Sequence, residues 1–123
     1  MLNGWISLRV KDPKQVAAWY TDHKMLELVG AREDIGTRAL GSRENGLALI
    51  LISGDQLDRP DLLQLHLHVK DVDAEYERLK AEGVKFEEPP KNMPWGWRHA
   101  YTKDPAGHTV EVCSPLPEAG FKQ

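Results

Sequence analysis

Apolar and polar residues alternate in short runs along the chain, and two of those runs are near copies. "LHLHVKD" (65–71) places Leu65, Leu67 and Val69 on one side of an extended segment and His66 and His68 on the other, because residues two apart in a strand share a face. "LRVKD" (8–12) matches "LHVKD" (67–71) at Leu, Val, Lys and Asp, an offset of 59 residues and close to half of the 123-residue chain. A helix signal follows each copy. Asp12 suits an N-cap and Pro13 the first helical position, and Val16, Ala17 and Tyr20 then recur at helical spacing. In the second copy Asp71 caps, Val72, Tyr76 and Leu79 recur at i, i+4 and i+7, and Gly83 supplies the stop.

Short strand-like runs follow each helix. In the first half they are "LELVG" (26–30), "TRALG" (37–41) and "LALILI" (47–52), punctuated by Gly36 and "ENG" (44–46). In the second half they are "VKF" (84–86), "RHAYT" (98–102) and "TVEV" (109–112), with "DPAG" (104–107) as a turn. The pattern predicts βαβββ twice, an α+β domain of two modules. Module one covers about 3–53, a polar link 54–62, module two 63–114, and a loosely ordered tail 115–123.

A sheet with one helix has a covered face and an open face. Ile6, Leu8 and Val10 are expected on the helix, which turns Trp5, Ser7 and Arg9 to the open side. In the second module the open set is Gln64, His66 and His68, joined by Thr109, Glu111 and Cys113 of the last strand. If the turn is the four residues 104–107, Arg98 and Ala100 share the face of Glu111. "LALILI" is apolar on both sides and predicts a greasy wall.

Each candidate carries two readings. His66 and His68 are half of a metal site, ligand contacts or a base, or else polar residues on the open face of a strand. Arg9, placed beside His68 by the repeat, anchors an anionic group or pairs with an acid. Glu111 binds ligand or pairs with Arg98. Trp5, Trp95 and Trp97 form an aromatic clamp, or pack in a core or interface. Trp19 reads as helix packing, Cys113 as a small buried residue, and His108 as solvent-exposed.

Composition narrows the function. Charged residues are 28%, apolar residues 41% and the net charge is −3, with no clustered Lys and Arg. This gives no nucleic-acid footprint and no basic amphipathic helix for a membrane surface. No apolar run approaches a membrane span, and the N-terminus lacks the features of a signal peptide. The single Cys113 excludes an intrachain disulfide framework and fits a reducing compartment, so a cytoplasmic location is expected. No Ser-His-Asp set or phosphate-cradling glycine loop is present.

Two βαβββ halves, "VKD" before each helix, and above all "WGWRHAYTKDPAGHTVEV" (95–112) resemble the vicinal oxygen chelate superfamily of glyoxalases, bleomycin-resistance proteins and extradiol dioxygenases. The resemblance covers about residues 3–114 and leans to the bleomycin-resistance branch. It implies curved mixed sheets forming a cup, a cavity shared in a homodimer, and a small-molecule ligand. The metal enzymes of that superfamily take ligands from positions that here carry Trp5, Gln64, an aliphatic residue of "LALILI", and Glu111. Gln64, His66 and Glu111 make a substitute divalent-metal set, but no cofactor is the favoured expectation. The favoured function is reversible binding of an apolar or aromatic molecule, as in antibiotic resistance, by Trp5, Ser7, Arg9, Gln64, His66, His68, Trp95, Trp97, Arg98 and Glu111. The alternatives are a metal-dependent lyase, isomerase or dioxygenase relative with His66 and Glu111 catalytic, and a catalytically inactive regulatory dimer.

Overall fold

The structure is a computed structural model that describes residues 5–42 and 48–117. The "ENG" turn, the first residue of "LALILI" and the end of the tail lie outside the described residues. Two compact units are present. One comprises the chain through Pro60 with Asp104–Gly107, and the other comprises Asp61–Lys103 with the chain from His108 onward.

The first unit contains β1 (Ile6–Val10), α1 (Pro13–Asp22), β2 (Glu27–Arg32), β3 (Thr37–Gly41) and β4 (Ala48–Ser53). Its sheet order is β1-β4-β3-β2, with β1 and β4 parallel and the other pairs antiparallel. The Asp12 carboxylate accepts from the Gln15 N–H at 3.0 Å, and Pro13 opens the helix. Val10, Val16, Tyr20, Leu40, Leu49 and Leu51 form the buried layer between α1 and the sheet. Asp104 serves this unit twice. It accepts the buried Tyr20 hydroxyl at 2.6 Å and the Ala106 N–H at 2.9 Å. Gly107 has a φ of +89°, which favours glycine, and a Cβ there would crowd Pro60 at 3.1 Å.

After a short 3-10 turn (Pro60–Leu62), the second unit contains β5 (Gln64–His68), α2 (Val72–Ala81), β6 (Lys91–Asn92), β7 (Trp97–Lys103) and β8 (Thr109–Pro115). The sheet order is β5-β8-β7-β6, with β5 and β8 parallel, repeating the first unit. Asp71 caps α2 by accepting from the Ala74 N–H at 3.0 Å. Gly83, at φ +95°, ends the helix. Leu65, Leu67, Val72, Leu79, Val110 and Val112 are buried between helix and sheet, as the alternation predicts.

Two expectations are corrected. "VKF" (84–86) is not a strand. The Val84 N–H bonds the Leu79 carbonyl at 3.0 Å and the Thr102 hydroxyl bonds the Lys85 carbonyl at 2.5 Å, which ties the segment to the helix end and to a side chain. Pro89 and Pro90 lack the N–H a ladder needs, so the strand begins after them, at Lys91. The second correction concerns register. Lys103 pairs with Thr109, so the connection is residues 104–108 and not 104–107. His108 belongs to it and is buried, with 1% exposure, where solvent exposure was expected.

Candidate ligand site

The register decides which side chains meet. Tyr101 pairs with Glu111, His99 with Cys113, and Trp97 with Pro115. Trp97, His99 and Tyr101 therefore share the open face with Glu111, and Arg98 and Ala100 turn toward α2. This corrects the expected placement of Arg98 beside Glu111. The Arg98 guanidinium instead grips Asp73 through two bonds of 2.8 and 2.7 Å and reaches Asn92 at 3.0 Å. That grip lowers the Asp73 carboxyl below its ordinary range and raises the Arg98 guanidinium. Ala100 is 1% exposed in the core.

On the open face of the second sheet a cavity of about 290 Å³ is lined by His66, His68, Trp95, Trp97, His99, Glu111 and Cys113. Strands supply most of the lining. The exception is Trp95, held in the hairpin between β6 and β7. There the Met93 N–H bonds the Trp97 carbonyl at 2.7 Å and the Gly96 N–H bonds the Met93 carbonyl at 3.0 Å. Trp97 meets His68 edge-on, with ring centroids 5.5 Å apart, and Trp95 meets His99 edge-on at 6.1 Å.

Glu111 is the polar centre of the cavity. Its side chain is only 7% exposed, yet both oxygens have partners. One faces His66 Nε2 at 2.9 Å. The other is held by His99 Nδ1 in a short hydrogen bond. A carboxylate can only accept, so each imidazole donates to it through the nitrogen that faces it. His99 Nε2 is buried and has no hydrogen-bond partner among the described residues. Cys113 lines the same cavity. Burial, and then the nearby Glu111 charge, push its thiol up to about 11, so it is a poor nucleophile at neutral pH.

The other sequence-predicted residues fall elsewhere. Gln64 is exposed at the start of β5, paired with Thr109. Trp5, Ser7 and Arg9 belong to the first unit and are exposed, Trp5 at 68%. They are not among the residues lining this cavity. His99 escaped the sequence reading. The missed signal was that Trp97 and Arg98 are neighbours in one strand and cannot share a face; choosing Trp97 brings His99 with it.

The donor set does not fit the metal of the superfamily's metal enzymes. At the four positions, the Trp5 indole has no lone pair to give, Gln64 offers only a neutral amide oxygen, the fourth-strand run is aliphatic, and Glu111 has both oxygens bound by imidazoles. Among the described residues, no group of three or more His, Cys, Asp or Glu side chains is placed to hold a metal ion.

Residues 3–112 match the Glyoxalase/Bleomycin resistance protein/Dioxygenase superfamily, and the chain belongs to that family. No curated protein matches it by sequence. Among solved structures it is similar to TnmS3, an antibiotic binding protein from Streptomyces sp. CB03234, at 27% identity over 94% of this chain and 97% of that one, with a TM-score of 0.75. It is similar to a glyoxalase/bleomycin resistance protein/dioxygenase from Nocardioides at 22% identity over 100% and 89%, with a TM-score of 0.78. A lactoylglutathione lyase from Agrobacterium tumefaciens shares 21% identity over 93% and 94%, with a TM-score of 0.70. The last two likenesses show the fold, which binding proteins and lyases share. Among the described residues no helix is long and apolar enough to cross a membrane.

Proposed function

We propose that this protein reversibly binds a small planar aromatic molecule in the cavity of its second module, without a metal. The observation that carries this reading is the lining itself. Two Trp rings and a Cys flank one buried, fully engaged carboxylate. Stacking surface with few fixed polar groups is what an apolar aromatic ligand needs. Trp95 and Trp97 stack on the ligand, His66, His68 and His99 meet its edge, and Glu111 orients the imidazoles. The likeness to an antibiotic binding protein supports a sequestering role.

Within this proposal the protein is a cytoplasmic homodimer, since closed two-fold pairs are the common assembly. Trp5, Ser7 and Arg9 lie on the face covered by the second copy, where the exposed Trp5 supplies apolar area.

Titration of intrinsic Trp fluorescence with a panel of planar polycyclic compounds, in the presence of a chelator, tests the reading. Saturable quenching that survives chelation is expected. A silent panel, together with turnover of a 2-oxoaldehyde–thiol adduct, would establish a glyoxalase-type lyase instead.

A further inference from the structure

In the cavity lining, His99 Nε2 is buried with no hydrogen-bond partner among the described residues. The Glu111 carboxylate takes the hydrogen on Nδ1; in the neutral imidazole, which has only one N–H, Nε2 then carries a lone pair. A buried acceptor without a donor is costly. The ring lines the cavity, edge-on to Trp95, and the side chain is 10% exposed; Nε2 itself is sealed, so a ligand reaches it only as the packing around it opens.

We infer that the cavity selects aromatic ligands bearing a ring hydroxyl, which donates its hydrogen to His99 Nε2. This inference rests on the aromatic-binding reading and names the ligand class within it. A carbonyl or ether oxygen at the same place would set a lone pair against a lone pair. A cationic donor would have to shed its water in a mostly apolar cavity whose one carboxylate already has two partners. A neutral phenolic hydroxyl meets neither objection. Glu111 is then a positioning residue, which holds the ring in the tautomer that accepts. Sites built to bond a substrate hydroxyl reject the analogue that lacks it far more strongly than apolar pockets sort by size.

The test uses three probes of nearly one shape: 2-naphthol, 2-methoxynaphthalene and naphthalene, titrated into the full chain and followed by Trp fluorescence. The wild type should bind 2-naphthol about tenfold or more tighter than 2-methoxynaphthalene, the size of one hydrogen bond to an otherwise unsatisfied buried group. His99→Phe should remove that preference and still bind all three. His99→Gln, whose amide oxygen accepts, should restore part of it. Nitrogen-15 spectra of the wild-type histidines should show His99 with hydrogen on Nδ1, a readout that needs no variant to fold. Equal, saturable affinities for the three probes in the wild type, or hydrogen on Nε2, would overturn the inference and leave the aromatic-binding reading intact. No saturable binding of any probe would overturn both.

Discussion

Ile50 and Glu111 hold matching places in the two sheets. Ile50 lies opposite Ser7 and Ala39, and Glu111 opposite His66 and Tyr101. Ile52 likewise matches Cys113, opposite Arg9 and His68 respectively. The covered faces, by contrast, keep one chemistry: Leu8 and Leu67 are both buried against a helix. Within the helices the contrast reverses, because Tyr20 matches Leu79 and carries a buried hydroxyl where the second module has only a methyl group. Repetition thus preserves the frame, since a helix must bury its apolar stripe in either copy. The open faces, freed from that demand, diverge. One sets Ile50 and Ile52 beside Ser7 and Arg9, and the other gathers a carboxylate, three imidazoles and two Trp rings around a cavity.

The largest effects should fall where the modules agree. Leu8→Ala and Leu67→Ala should each cost about 2–5 kcal/mol of stability, read by urea unfolding. A cost for one but not the other would break the equivalence of the covered layers.

Next come the open faces, where the modules differ. Trp97→Ala should weaken aromatic ligands by about 1–3 kcal/mol, roughly 5- to 150-fold. Trp5→Ala should change that affinity by less than about threefold, the range of surface substitutions, and should instead raise the dimer dissociation constant. Calorimetry with sedimentation separates the two. An equal loss of ligand affinity in both variants would place the first module in the site.

The helix contrast is smaller. Tyr20→Phe should cost about 0.5–1.5 kcal/mol, one hydrogen bond. Burial, and then Asp104, hold the Tyr20 hydroxyl well above its ordinary range. The unfolded chain therefore loses this proton first, from pH about 10. The stabilisation is complete below that pH and declines above it. The alkaline limb of a stability–pH curve should flatten in Tyr20→Phe and stay steep in Leu79→Met.

The smallest contrast is chemical. Cys113, where the first module has Ile52, should react slowly with a disulfide reagent at pH 8 and rapidly once denatured, because its thiol is pushed to about 11. Fast labelling of the native protein would contradict the burial assigned to it.

The frame was legible because it rests on repeated local signals: "VKD" before each helix, caps at Asp12 and Asp71, and alternation in β1 and β5. Glu111 and His66 were legible too, since β5 and β8 run parallel in simple alternation. β7 was not. Its face depends on whether its connection to β8 has an even or odd length, and His108 looks like a strand residue until it is seen buried in that connection. One residue of register exchanged Arg98 for His99 in the site. β6 was hidden for a different reason. Two residues carry no periodicity, and Val84 has strand character but serves to close the helix end.

Amide and indole chemical-shift mapping with 2-naphthol in the presence of a chelator tests the division of labour most directly. The largest changes should fall on β5, β7 and β8 around His66, Trp97, His99 and Glu111, and on the Trp95 indole, with β1 to β4 little affected. Changes centred on β1 and β4, or binding that vanishes with the chelator and returns with zinc, would contradict a metal-free aromatic site in the second module.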